Sequence, residues 1–296
     1  MTDFVATLIA RPQNASDLEA AATACGAAVS VSRSDVLAAN EAIDLFFSSP
    51  DFIETHRATL EAKIAGRPVD VVVQPVANRR KRLLVADMDS TIIGQECIDD
   101  LADFVGLKAK VAAITDRAMR GEIEFEPALR ERVSLLAGLP VDTIDKVIAE
   151  RVTLNPGAKA LVWTMRANGA TAILVSGGFT AFAEKVAAMV GFNESRANVL
   201  LTAHGELTGK VEEPILGRSA KLATLEDAMI RLSIPEERTL AVGDGANDLA
   251  MIRRASLGVA YHAKPKVAEA AAARIDHADL TALLYAQGYK RHQFVE

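Results

Sequence analysis

The residues whose types could do chemistry fall in three short clusters: Asp87-Met88-Asp89-Ser90-Thr91, Ser176-Gly177-Gly178-Phe179-Thr180 and Gly243-Asp244-Gly245-Ala246-Asn247-Asp248. Asp87 and Asp89 are two carboxylates separated by one residue. Like charges that close raise each other's pKa and need a counter-charge. Taken alone, the pair also reads as a strand-to-helix turn in which one Asp caps the next helix. In the second cluster a hydroxyl followed by small residues can present backbone N–H groups to a phosphate at such a turn. A plain glycine turn reads equally well. The third cluster adds two carboxylates and an amide, an oxygen-rich set suited to Mg²⁺. Its plainer reading is a β-turn rich in Asp, Asn and Gly. The combination decides between them, because four converging Asp residues without a metal would be electrostatically costly.

The elements that must position these clusters are buried strands. Leu83–Ala86, Ala172–Val175 and Leu240–Val242 are short apolar runs, each ending at one cluster. Apolar runs alternating with helical stretches predict a parallel sheet with helices on both faces. In such sheets the active site lies beyond the carboxyl ends of the strands, so the three clusters share one rim. Between the first two runs lie four helical stretches, Cys97–Val105, Lys110–Arg120, Pro127–Ala137 and Val141–Arg151. One crossover does not need four helices, so residues 94–155 read as a helical cap over the rim.

Residues 1–78 read as a separate small α/β unit. Phe4–Ala10 is a strand, Asn14–Ala27 a helix, and strands follow around Ala28–Asp35 and Ala42–Phe47. A helix from Pro50 to Ala65 and a strand at Val69–Val73 complete a β-α-β-β-α-β order, that of a ferredoxin-like fold. The basic run Asn78–Arg82 then reads as a solvated linker or strand edge rather than a nucleic-acid patch.

At 296 residues, half of them apolar, the chain has the composition of an ordinary globular protein of two domains, here 1–78 and 79–296. Only two cysteines, Cys25 and Cys97, exclude a disulfide scaffold and a structural zinc cluster, and point to a reducing, cytoplasmic setting. No stretch reads as a membrane span, and Asp3 stands where a signal peptide needs basic residues. A net charge of −6 argues against broad nucleic-acid binding while leaving room for an anionic substrate held by local cations and a metal.

The clusters DMDST, SGGF and GDGANDLAM, with Lys221 in GRSAK, resemble the haloacid dehalogenase superfamily of phosphatases, in the family's order and strand context. Ile92–Glu96, Phe125-Glu126 with Leu129–Leu136, and Gly258–Pro265 extend the likeness toward its bacterial phosphoserine phosphatases, over about residues 83 to 296. The first unit resembles ACT regulatory domains in element order. The resemblance implies a Rossmann-like α/β core with a helical cap and hydrolysis of O-phospho-L-serine as the last step of serine biosynthesis. It implies Asp87 as nucleophile and Asp89 as general acid and base. Mg²⁺ would sit on the Asp87 carboxylate, the Asp89 carbonyl and Asp244. Ser176, the Gly177 and Gly178 amides and Lys221 would hold the phosphoryl oxygens. Asn247 would touch the substrate, and Asp248 would support the lysine. Glu96 would pair with the substrate ammonium and Arg132 with its carboxylate, while Met119 and Phe125 would line the cap side. Gly243 and Gly245 would permit the turn, Cys97 would only pack, and His204 and His262 have no assigned role. The alternatives are a phosphatase or phosphotransferase for another small amino-phosphate, and a serine-sensing regulatory protein. A homodimer built on the first unit is a further expectation.

Overall fold

The computed structural model describes residues 1–119, 122–217 and 219–296, with the side chains at 116, 118 and 119 left aside. The chain opens with β1 (Thr2–Ala10), α1 (Ala15–Ala28), β2 (Arg33–Ala38), β3 (Ala42–Ser49), α2 (Ile53–Ile64) and β4 (Val69–Pro75). The four strands form an antiparallel sheet in the order β2-β3-β1-β4, the ferredoxin-like arrangement. Period-two alternation gives β1 two different faces. Phe4, Ala6, Leu8 and Ala10 pack with Leu18, Ala21, Cys25 and Leu60 of the two helices, whereas Ile9 joins the core of the following unit. Both faces of the sheet are therefore covered. The strand expected around Ala28–Asp35 begins only at Arg33. Helix α1 continues to Ala28, and Val29, whose N–H donates to the Cys25 carbonyl, reaches the core from the helix end.

The run Asn78–Arg82 is not a solvated linker. Arg79 pairs with the buried Asp44 at 2.6 Å and donates to Thr7 Oγ1 and to the Ala286 carbonyl, both at 2.7 Å. Lys81 is buried and donates to the Glu237 carbonyl and Ser256 Oγ. Burial lowers its pKa to about 8. Only Arg80 and Arg82 of the run's cations are exposed. Charge density alone could not reveal this, because the partners lie far away in sequence.

The second unit begins with β5 (Leu83–Asp87) and continues through α3 (Cys97–Phe104), α4 (Lys108–Met119), α5 (Phe125–Ser134), α6 (Asp142–Arg151) and α7 (Ala158–Ala167). Then come β6 (Thr171–Phe179), α8 (Thr180–Val190), β7 (Glu194–Asn198), a hairpin of β8 (Leu200–Ala203) and β9 (Glu206–Val211), and α9 (Ser219–Arg231). The chain closes with β10 (Thr239–Gly243), α10 (Leu249–Arg254), β11 (Leu257–Tyr261), α11 (Pro265–Ala268), β12 (Ala273–Ile275) and α12 (Ala282–Ala286). Six parallel strands form a sheet in the order β12-β11-β10-β5-β6-β7. Leu83, Val85, Ile173, Val175 and Ala241 face one core, and Leu84, Ala86, Leu174, Leu240 and Val242 the other. Burial on both sides is why these strands read as unbroken apolar runs.

Ala86 pairs with Val242 and Asp87 with Val175, so the carboxyl ends of β5, β6 and β10 share one rim. Helices α3 to α6 cover it, with Leu101, Leu129, Val133 and Ile144 joining the core below. Helix α5 ends at Ser134, short of the expected Ala137, where the hairpin crosses it. Gly209 makes that crossing at φ +75°, and a Cβ there would lie 2.9 Å from Ala137 Cβ. Among the described residues no helix is long and apolar enough to cross a membrane.

Candidate active site

A cleft of about 410 Å³ lies between rim and cap, and Asp87, Asp89, Glu96, Phe125, Arg132, Gly177, Gly178, Asp244, Asn247 and Lys264 are among its lining residues. Its floor is the last residue of β5. Asp87 is 5% exposed, and its Oδ1 accepts from the Met88 N–H at 2.8 Å and from Lys221 Nζ at 2.7 Å. Lys221, in the first turn of α9, is equally buried and reaches Asp248 Oδ1 at 2.6 Å. Asp87, Asp244 and Asp248 each bring a carboxylate oxygen within 4.8 Å of the others. Asp248 is thus a member of the acidic cluster as well as the partner of the lysine.

One ammonium does not neutralise this many carboxylates. Burial, followed by the Asp248 charge, pushes Asp87 well above the ordinary carboxylate range, with Lys221 opposing. Burial and Asp248 push Asp244 the same way. Burial works against the charge of Lys221, but Asp87 and Asp248 outweigh it and hold the ammonium protonated. An excess of buried negative charge among hard oxygen donors is the setting a divalent cation relieves.

The third cluster is built by close approach. Gly243 has ordinary φ, and what excludes a side chain there is space: a Cβ would lie 2.3 Å from Asp248 Cγ. At Gly245 the obstacle is Asn247 Oδ1, also at 2.3 Å. The Gly245 N–H donates to Asp248 Oδ2, fixing the turn.

The second cluster differs from its expected form. Ser176, Gly177 and Gly178 stay within β6, in a bulge where pairing with β7 slips between Val175 and Phe179. There the Ser176 hydroxyl donates to Asp89 Oδ2 at 3.2 Å and accepts the Gly178 N–H at 2.8 Å. That N–H is engaged inside the cluster, and Gly178 lines the cleft. Asp89 Oδ1 accepts the Cys97 backbone N–H at 3.1 Å, while the Cys97 side chain is buried in the core. Burial raises the pKa of Asp89.

Toward the cap, Glu96 stands at the N-terminus of α3 and accepts from the Ser90 hydroxyl at 2.8 Å, with Ser90 itself at φ +53°. Burial, followed by the nearby Asp89 charge, pushes Glu96 up to about 7. Arg132 on α5 donates weakly to the Ala128 carbonyl and Thr115 Oγ1, and burial lowers its pKa. The Phe125 ring lies over Gly177, 3.5 Å from where a Cβ would be. The side chain of Met119 lies outside the described residues.

Three contributors escaped sequence reasoning. Thr91 Oγ1 donates to Asp244 Oδ1 at 3.4 Å, joining the first cluster to the third. Asn198 donates to the Gly177 carbonyl and accepts the Leu216 N–H, tying the β6 bulge to the segment that leads into α9 and Lys221. Lys264 lines the cleft from the loop after β11. Thr91 and Lys264 each lie inside a quoted motif, whereas Asn198 carried no signal in the sequence.

Residues 84–253, more than half of the chain, match the family model described as haloacid dehalogenase-like hydrolase. The chain belongs to that family. Phosphatases of the haloacid dehalogenase-like family generally use Mg²⁺, and the Asp87–Asp244–Asp248 cluster is of the right chemistry for it. A protein of Polaromonas sp. named phosphoserine phosphatase is 46% identical over 208 residues, 69% of this chain and 88% of that one. A solved haloacid dehalogenase family hydrolase from Salmonella enterica serovar Typhi superposes with a TM-score of 0.84 at 26% identity, covering 97% of this chain and 98% of its own. That coverage includes the first unit. A structure described as a phospho-aspartyl intermediate analogue of phosphoserine phosphatase matches 70% of this chain and 98% of its own, with 39% identity and a TM-score of 0.64.

Proposed function

We propose that this chain is a phosphoserine phosphatase, hydrolysing O-phospho-L-serine to L-serine and phosphate through an aspartyl-phosphate on Asp87. The observation that carries the reading is the buried Asp87 carboxylate, held by Lys221 at 2.7 Å within a three-carboxylate cluster at the floor of the cleft. The relatives named phosphoserine phosphatase, at up to 46% identity, supply the substrate.

Asp87 attacks phosphorus, a P–O bond to Asp87 forms, and the bond from phosphorus to the serine oxygen breaks. Asp89 gives that oxygen its proton. Its raised pKa is the direction a proton donor needs, and Ser176 and the Cys97 N–H hold it in place. Water then attacks phosphorus while Asp89 takes its proton, the bond from phosphorus to the Asp87 oxygen breaks, and inorganic phosphate leaves with the Asp87 carboxylate restored. Lys221, Ser176 and the Gly177 amide bind the phosphoryl oxygens as charge builds on them. The Asp87 and Asp244 carboxylates and the Asp89 carbonyl would hold Mg²⁺, with Asp248 beside them; bound there, the ion supplies charge neutralisation at the phosphoryl oxygens. Asn247 contacts the substrate, Glu96 takes its ammonium and Arg132 its carboxylate, with Phe125 closing the apolar side. The cap, residues 94–155, excludes bulk water during transfer.

The same reading keeps 1–78 and 79–296 as two domains, and the first as an ACT-like packing module, which its strand order supports. It places the protein in the cytoplasm, in keeping with two free, buried cysteines. Phosphate release from phosphoserine, measured with Mg²⁺ and again with EDTA, tests the reading. Release that EDTA abolishes is expected; no release with Mg²⁺ overturns it.

A further inference from the structure

The loop between β11 and α11 contains a residue in a costly conformation. His262 has φ +44°, in the left-handed region that a residue with a Cβ rarely occupies. Its surroundings hold it there. The His262 N–H donates to the Ile275 carbonyl at 2.8 Å, and ring Nε2 lies 3.0 Å from the Ala278 carbonyl, as a donor. The ring also meets Tyr261 edge-on, with centroids 4.4 Å apart. Ala278 is itself fixed, because its N–H donates to the buried Asp70 carboxylate of the first unit at 2.8 Å.

The consequence lies two residues further on. The Lys264 N–H reaches the Asp244 carbonyl at 3.4 Å, and the residue lines the cleft as an exposed side chain. The charges of the site make this amine distinctive. Asp87, Asp89, Glu96 and Asp244, with the buried Asp248 behind them, present an acidic surface to an incoming dianion. Lys221 is engaged by Asp87 and Asp248, and Arg132 stands on the cap near Asp99 and Glu96. The Lys264 ammonium feels the Asp244 charge, but among the described residues no carboxylate forms a direct ion pair with it. A flexible, hydrated cation at the edge of an acidic cleft is suited to capture a phosphate without fixing it at the reacting centre.

We propose that Lys264 draws the substrate phosphate into the cleft and engages inorganic phosphate on its way out, with His262 as its positioning residue. The proposal rests on the phosphatase reading above. Lys264→Gln is expected to lower kcat/KM for phosphoserine about tenfold at low ionic strength while kcat stays within about twofold. In about 0.5 M KCl, where screening is nearly complete, the deficit shrinks to about twofold or less. Inhibition by inorganic phosphate weakens in parallel. Lys266→Gln removes the same charge two residues away, outside the cleft lining, and keeps wild-type values. His262→Ala moves kcat/KM in the same direction by a smaller factor.

Equal behaviour of the Lys264 and Lys266 variants overturns the capture role. A fall in kcat with KM unchanged also overturns it, because Lys264 would then act on the reacting group. Unchanged kcat/KM in His262→Ala overturns the positioning role. Calorimetric titration of inorganic phosphate into the whole chain keeps the two readings apart. An enzyme inactive on phosphoserine whose phosphate affinity still drops in Lys264→Gln loses the phosphatase reading and keeps this one, while equal affinities overturn it.

Discussion

Two regions of this molecule bury charge, and they do it in opposite ways. At the junction of the two units, Arg79 is 12% exposed, yet it pairs with an Asp44 that is 1% exposed and spends its remaining donors on Thr7 and the carbonyls of Tyr285 and Ala286. Asp70 in the same junction accepts the N–H groups of Asp276, His277 and Ala278. Each charge there has a counter-charge or a set of donors, although burial raises the pKa of Asp70 and a cavity of about 80 Å³ lies beside it. At the rim, Asp87, Asp244 and Asp248 crowd one another with a single lysine between two of them, beneath an open cleft. Burial of charge by itself therefore does not mark the site. Uncompensated like charge beside an accessible cavity does.

The sharpest way to break this comparison is Asp87→Asn. It is expected to cut kcat by more than about 10³-fold. The melting temperature measured without divalent cation does not fall, because the change relieves repulsion with Asp248. Arg79→Ala should do the reverse: it leaves Asp44 buried and uncompensated, at a cost of about 3–5 kcal/mol in urea unfolding. Activity per folded molecule should be unchanged. If Arg79→Ala unfolds no more easily than wild type, the two regions do not differ as described.

Mg²⁺ sharpens the contrast from the other side. At about a hundred times its dissociation constant it should stabilise the whole chain by about 2.7 kcal/mol in a thermal-shift series. That gain should disappear in Asp244→Asn and persist in Arg79→Ala. The smallest expected effect is on pH. The Glu96 carboxyl is raised to about 7, so it gains its proton as pH falls through that value and can no longer pair with an ammonium. The KM for phosphoserine should rise by about tenfold per pH unit below 7, a loss of about 1.4 kcal/mol per unit. The KM for p-nitrophenyl phosphate, which has no ammonium, should not follow, and parallel changes in both would remove Glu96 from substrate recognition.

Much of the site was legible because it is carried by strand ends. An apolar run ending in DMDST, SGGF or GDGAND states both the element and its terminus, and parallel strands bring such termini to one rim whatever their separation in sequence. The rest depends on contacts with distant segments. Glycines mark turns, so Ser176–Gly178 reads as a turn, whereas pairing with β7 on either side keeps it in a bulged strand. Arg79 and Lys81 looked solvated because their partners, Asp44, Glu237 and Ser256, stand up to 175 residues away. The beginning of β2 slipped because Val29 and Val31 are as apolar in a helix-end connection as in a strand.

By itself, the sequence determined the order of elements, the parallel core and the identity of the acidic residues at its rim, since each depends on local periodicity and on what directly follows an apolar run. Tertiary structure alone decided that Asp87 and Asp248 both reach the lysine, at 2.7 and 2.6 Å, that Asn198 braces the Gly177 bulge, and that Lys264 reaches the cleft. Electrostatic energy depends on separation in space, and short range in space between residues far apart along the chain is set only when the whole fold has closed.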